Sequence, residues 1–274
     1  MKTHYDKLSL CLCFLTKFAL FITLSIFILL MGFIFYKGIL HFSPTLFEWE
    51  YSSQNISMLP ALINTLNMVV FSMLLTTPIG IFGAIFLNEY NSKKNKLLYV
   101  IKIASDTLLG IPSIVYGLFG YLAFVIYFGF KISFLSGVLT LSLMILPLIL
   151  RSSQEALKSV PIELREASLA LGAGKLRTIF AIILPSSIPM ILAGILLGIG
   201  RVVGESAALL YTSGGVAKVA GLTDSGRTLS VHMYIISSEG QYINEAYTTA
   251  MVLILIVLII NLLANYIAKR LTKG

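Results

Sequence analysis

Long apolar runs alternate along this chain with short polar segments, and the alternation divides it into six candidate spans at residues 18–36, 61–87, 108–128, 134–150, 188–211 and 248–266. A helix rising about 1.5 Å per residue needs about 20 apolar residues to cross hydrocarbon. Residues 18–36 carry no charge, follow Lys2, Lys7 and Lys17, and close on Lys37. This apolar core is longer than that of a cleaved leader and no small-x-small site follows it, so it reads as a retained first span.

Polar residues inside the runs refine the picture. Asn64, Asn67 and Pro78 in the second span must face protein, because an amide or a freed carbonyl facing lipid is costly. The third span carries Gly110, Pro112, Ser113, Gly117 and Gly120 near its start. Such a helix breaks easily, and broken backbone is tolerated at membrane depth only against protein or a water-filled path. Asp106, just before it, reads as a boundary residue. Residues 38–58, with Glu48, Trp49 and Glu50, suit an outer loop with an interfacial Trp, and residues 212–247 form a second long polar segment.

Composition agrees with the pattern. Of 274 residues, 57% are hydrophobic and 12% charged, with a mean hydropathy of +0.92, which belongs to multispanning membrane proteins and excludes an ordinary soluble enzyme. The net charge of +8 is explained by location. Fifteen of the 20 Lys and Arg fall on one side of the six spans and four on the other, with Arg201 inside a span. The basic side is cytoplasmic, so both termini and residues 155–185 face the cytoplasm and nucleic acid is not needed to account for the charge. Cys11 and Cys13 alone build no disulfide framework or thiolate metal site, and His4, His41 and His232 are scattered among polar segments, with no metal expected.

The cytoplasmic segment 155–185 predicts two short helices. Pro161 suits a helix start, Glu163 complements its positive end, and Leu164, Ser168 and Leu171 recur at helical spacing. Gly172 ends that helix; residues 175–183 form the second, and Pro185 breaks it before the fifth span. Ala167, Ser168, Ala170, Gly172, Ala173 and Gly174 are small, so another surface can approach the backbone. Glu166-Ala167-Ser168, three residues, Gly172, nine residues, then Ile182-x-Leu184-Pro185 matches EAA-x3-G-x9-I-x-LP. The segment thereby resembles the coupling loop of the membrane subunits of binding-protein-dependent ABC importers, with Ser168 where that family usually has Ala. The resemblance implies an all-α polytopic fold of the MetI-like, type I importer class, and implies that Glu166, Ala167, Ser168, Gly172, Ala173, Leu184 and Pro185 dock on an ATP-hydrolysing subunit. Residues 1–60 then form a first helix and outer loop, and 61–274 a permease core of five spans.

Arg201 lies 13 residues past residue 188, near mid-membrane on this register, where insertion costs about 2.5–3.5 kcal/mol. Glu205, four residues on, can pair with it on one helix face, so a purely structural bridge is open. Against that, an intramembrane guanidinium is a charged fork suited to a transported oxyanion. RVVGESAALLYTSGG over 201–215 resembles the fifth-span signature of phosphate-specific importer permeases, with Ser206 for Thr and Ala208 for Pro. Residues 110–120 and 155–179 are similar to the A-type subunit of that family. The resemblance implies a substrate pathway at Arg201, Gly204, Glu205 and Ser113. It also implies a second homologous permease subunit in a heterodimer, an ABC ATPase dimer that holds ATP and Mg, and an extracytoplasmic phosphate-binding protein. The sister subunit, or a permease for another oxyanion such as sulfate or molybdate, is the alternative. This chain binds no cofactor on that reading, since it has no G-x-x-x-x-G-K-[ST], HExxH or GxSxG pattern, and neither a membrane-embedded transferase nor a passive channel accounts for the loop.

Overall fold

The computed structural model describes residues 7–52, 55–90 and 96–271. Lys2, Lys93, Lys94 and Lys273 of the charge count, and His4, lie outside the described residues. The described residues are helical with no strand, as a chain that must satisfy its backbone in lipid requires. In chain order they form α1 (Lys7–Leu40), α2 (Leu59–Glu89), α3 (Lys96–Leu109), α4 (Ser113–Gly120), α5 (Phe134–Lys158), α6 (Ile162–Ala170), α7 (Lys175–Thr178), α8 (Leu184–Val203), α9 (Ala207–Thr212), α10 (Leu229–Ser238) and α11 (Ile243–Leu271). Turns of π-helix, Tyr121–Tyr127 and Ile179–Ile183, extend α4 and join α7 to α8.

Five helices are long and apolar enough to cross a membrane, and the bent pair Tyr99–Leu109 with Ser113–Tyr127 makes a sixth if taken as one span. That pair turns through 108° at the break around Gly110 and Pro112. The third span expected at 108–128 is therefore a broken one. Its second limb, Ser113–Tyr127, reaches only about 22 Å at helical rise, short of the roughly 30 Å of hydrocarbon.

The centre is α2 against α5 with α8 laid across them. Met68 and Met73 from α2, Leu141 and Ile145 from α5 and Val202 from α8 form one buried cluster. Close approach is the main attraction between helices in lipid, and glycines provide it. A Cβ on Gly198 would lie 2.8 Å from Met73 Cε, and one on Gly117 of α4 would lie 2.7 Å from Ala208 Cα of α9. Hydroxyls add cross-links, as Thr76 Oγ1 donates to the Ser142 carbonyl of α5 at 3.3 Å. α1 stands outside this core. It touches α11 through Phe33 on Tyr247 and through the Thr248 hydroxyl donating to the Gly38 carbonyl at 3.1 Å, and leaves most of its apolar length exposed, as a lipid-facing helix does.

Asn64 faces protein as its lipid cost requires. It is fully buried, donates to the carbonyls of Lys218 (2.8 Å) and Arg227 (3.0 Å), and accepts from the Ala220 N–H at 2.9 Å. One side chain of α2 thus pins the segment between α9 and α10. That segment is not simply a polar loop. α10 within it is buried over Leu229, Ser230, Val231, His232 and Ile236, so His232 lies in the packed interior and not in an open polar segment.

Two further expectations are corrected. Pro185 does not break the chain before the fifth span, because Lys175–Val203 runs as one helix. The π turn just before the proline carries the Leu184 N–H to the Ile179 carbonyl, five residues back, and this widened turn accommodates the proline ring and its missing donor. At the other end, the span does not reach residue 211. It stops at Val203, with Gly204 as its cap, and the chain restarts as α9 at Ala207.

Candidate functional site

Two places concentrate the chemistry. The first is the charged loop over residues 155–185. α6 ends on Leu171 and Gly172, with Gly172 at φ +80°, where an L side chain is strained. The Gly172 N–H donates to the Leu169 carbonyl at 2.9 Å and the Ala173 N–H to the Ser168 carbonyl at 3.1 Å, which is the double closure of a Schellman motif. Ser168 is buried and its hydroxyl lies 2.9 Å from that of Thr178. The departure from the usual Ala at 168 is therefore a polar stitch between α6 and α7. Glu166 and Ala167 are exposed, Ala173 and Leu184 half-buried, and Pro185 exposed. Leu171 is 89% exposed, with Ile162, Leu169 and Leu176 also open. Such an apolar surface on a charged loop is the kind that contacts between molecules use.

The loop is tied to α2 by contacts the sequence did not disclose. Arg165 of α6 pairs with Glu89 at the end of α2 and donates to the Leu157 carbonyl at 2.6 Å. Lys175 donates to the Glu89 carbonyl and lies 4.3 Å from the centre of the Tyr90 ring. Glu89 stands alone among lysines in that part of the sequence, and this isolation was the available signal. Both cations also meet the negative end of α2. Arg165→Ala is expected to loosen α6 by about 1–3 kcal/mol, read as a rise of about fivefold or more in amide exchange over residues 162–170. Glu89→Arg with Arg165→Glu is expected to restore protection. By contrast, Arg151→Ala is expected to change stability by less than about 1 kcal/mol, because its pairs with Asp106 and Glu155 are solvent-exposed. Asp106, within α3, is thus one half of an exposed ion pair.

The second place is the break between α8 and α9. Arg201 is half-buried in the last turn of α8. Glu205 is 8% exposed and its Oε1 accepts from the Ala208 N–H at 3.0 Å, while its carbonyl accepts from the Ser230 hydroxyl at 2.6 Å. The expected i,i+4 bridge is absent: among the described residues Arg201 has no acid within 4.0 Å and no hydrogen bond. The reason is the helix end at Gly204, which removes the shared face. Each charge instead sits at the helix terminus that favours it, Arg201 at the end of α8 and Glu205 at the start of α9.

The broken third span lies against this break. Tyr116 of α4 donates to the Leu108 carbonyl at 2.9 Å across the bend, and the next residue, Gly117, packs on Ala208 of α9. Ser113 is half-buried at the first position of α4. Arg201, Gly204, Glu205 and Tyr116 are thus gathered where two discontinuous helices meet. Tyr116 was not singled out from sequence, since an aromatic in an apolar run gives no signal. Among the described residues, no group of three or more His, Cys, Asp or Glu could hold a metal.

Residues 76–274 match the family described as binding-protein-dependent transport system inner membrane component. The chain is 35% identical over 230 residues to the probable ABC transporter permease protein YqgI of Bacillus subtilis, covering 77% of this chain and 78% of that protein. It is 37% identical over 208 residues to the phosphate transport system permease protein PstA of Yersinia pestis, covering 74% and 69%. Among solved structures, an inward-facing conformation of the MetNI methionine ABC transporter superposes with a TM-score of 0.64 at 21% identity, covering 76% of this chain and 93% of that one. A bacterial ABC transporter involved in the import of the acidic polysaccharide alginate does so with a TM-score of 0.64 at 18% identity, covering 93% and 96%. These likenesses show the MetI-like importer permease fold.

Proposed function

The chain belongs to the binding-protein-dependent transport system inner membrane components, and from that premise we propose that it is one membrane subunit of an ATP-driven importer of inorganic phosphate. The observation that carries the importer reading is the loop. A Schellman-closed helix with its motif residues in register leaves Leu171 and its neighbours exposed. An ABC ATPase dimer, which holds ATP and Mg, docks there. A second homologous permease completes the membrane unit as a heterodimer, and an extracytoplasmic phosphate-binding protein delivers the anion to the outer loops. Both termini are cytoplasmic on the charge bias.

The cargo is supported by Arg201, a guanidinium at a helix break with no acid within 4.0 Å among the described residues, and by the relative named as a phosphate transport permease. The fork keeps its charge at every accessible pH and offers parallel N–H donors to two oxygens of one anion. ATP binding favours one arrangement of the loops, and the loaded binding protein favours one outer face. The direction of transport follows from these differential affinities, since a ligand shifts a conformational equilibrium only by as much as it prefers one state.

Proteoliposomes carrying this chain with its partner permease and ATPase, with binding protein outside, are expected to accumulate radiolabelled phosphate only with ATP inside, on the ATPase side, with tenfold excess sulfate leaving the rate unchanged. Accumulation without ATP, or displacement by equimolar sulfate or molybdate, would sink the phosphate reading.

A further inference from the structure

Arg227 and His232 lie in the segment after α9 and in α10, on the outer side, and neither belongs to the loop or to the α8–α9 break. Arg227 is 3% exposed and His232 fully buried. The guanidinium carbon of Arg227 sits 4.4 Å from the centre of the Tyr51 ring. The same ring meets His232 edge-on at a centroid distance of 6.1 Å, so one aromatic from the outer loop covers both.

What is unusual is what the two side chains lack. Nε and Nη2 of Arg227 are buried without an acceptor, and both ring nitrogens of His232 are buried without a partner. Among the described residues, no carboxylate lies within 4.0 Å of Arg227. Buried polar groups are almost always paired, and an uncompensated buried charge is expensive. The chemistry of the orphaned atoms narrows what can complete them. Nε and Nη2 are the two nitrogens on one edge of the guanidinium plane, and their N–H bonds run nearly parallel, spaced to hold two oxygens of a single oxyanion side-on. A water molecule would supply one acceptor and no charge.

We propose that the Nε–Nη2 edge of Arg227, with His232 beside it and Tyr51 above, is an oxyanion-binding site separate from Arg201, and that inorganic phosphate occupies it. The choice of phosphate among oxyanions rests on the transport reading above; the oxyanion class rests on the unpaired edge alone. Burial, and then the Arg227 charge, push the His232 imidazole down to about 3. Near neutrality the ring is uncharged and offers one N–H and one lone pair. The lone pair can accept from a protonated phosphate oxygen, a group that sulfate does not have at this pH.

The test is equilibrium binding of radiolabelled phosphate to the assembled importer in nanodiscs, without ATP and without the binding protein. The wild type is expected to hold phosphate in a class of sites that Arg227→Lys weakens at least tenfold, since lysine keeps the charge and loses the fork. Arg201→Gln is expected to leave that class in place, and sulfate to compete only at tenfold or greater excess. His232→Gln provides a second variant, expected to narrow the preference for phosphate over sulfate. Assembly of each variant is checked by its elution and by its melting temperature without phosphate. Binding unchanged in Arg227→Lys, or no binding by the wild type, overturns the site. ATP-driven phosphate uptake with binding unchanged in Arg227→Lys removes this site and leaves the transport reading standing. Phosphate held at Arg227 by an importer that accumulates none does the reverse.

Discussion

ATP-driven uptake is expected to fall at least tenfold when Gly172 is exchanged for aspartate and to stay within about threefold of wild type when it is exchanged for asparagine. The two side chains have nearly the same size, and both tolerate the left-handed backbone better than other residues do. Gly172 is held at φ +80° and nothing lies within 4 Å of where a Cβ would go, so neither substitution meets a steric block inside this chain. Each costs about 1 kcal/mol or less of local strain, as a short polar residue in that region does. Asparagine therefore reports the backbone alone, and aspartate adds a charge at the tip of a loop that offers Leu171 and small residues to a partner. A charge buried at an interface without its counterpart costs several kcal/mol, against about 1.4 kcal/mol per factor of ten. The measurement is uptake together with ATPase stimulation by the loaded binding protein, normalised to the amount of chain in the membrane. Equal losses in both variants would mean that no partner surface closes on Gly172 and that the loop works through its own shape.

Most of the fold was legible, and the misses share a physical cause. Apolar runs locate spans because hydrocarbon demands about 20 residues at a time, and the asymmetric charge orders them. The end of α6 was readable to the residue because it depends on a local device, a glycine with a left-handed backbone, that writes itself into the sequence. What apolar patterning cannot show is where a hydrophobic helix stops inside the membrane. Residues 188–211 are uniformly apolar enough to continue, yet the chain turns at Gly204 and Glu205 becomes the acceptor for the first turn of α9. Pro185 failed as a stop signal for the opposite reason, since the π turn over Ile179–Ile183 accommodates it. Long-range partners are named by no local pattern, although the isolation of Glu89 among lysines marks one end of a pair. Nothing local to Glu89 announces Arg165, 76 residues away, and Arg227 reads as one more outer-side charge until Tyr51 is seen over it.

Arg201 and Glu205 are expected to respond differently to substitution, although four residues of helical spacing would make them a pair. Arg201→Gln is expected to lower phosphate uptake at least thirtyfold. Removing the fork forfeits charge-assisted contacts worth about 2 kcal/mol or more in a site shielded from water, where a factor of ten needs about 1.4. Arg201→Lys separates the two properties of the guanidinium. It keeps a cation in the last turn of α8, where the helix end favours one, and loses the planar fork. A residue that served only the helix end would tolerate lysine; a residue that grips an oxyanion would not, so uptake in the lysine variant is expected to stay at least tenfold down. Glu205→Gln should keep most activity, because a glutamine oxygen can still accept from the Ala208 N–H as the Glu205 Oε1 does at 3.0 Å. With no contact between the two side chains, the double variant should equal the sum of the single effects within about 0.5 kcal/mol. A coupling term above about 1 kcal/mol, or full activity in Arg201→Lys, would return the two to a structural bridge and leave the guanidinium without a role in the passage of the anion.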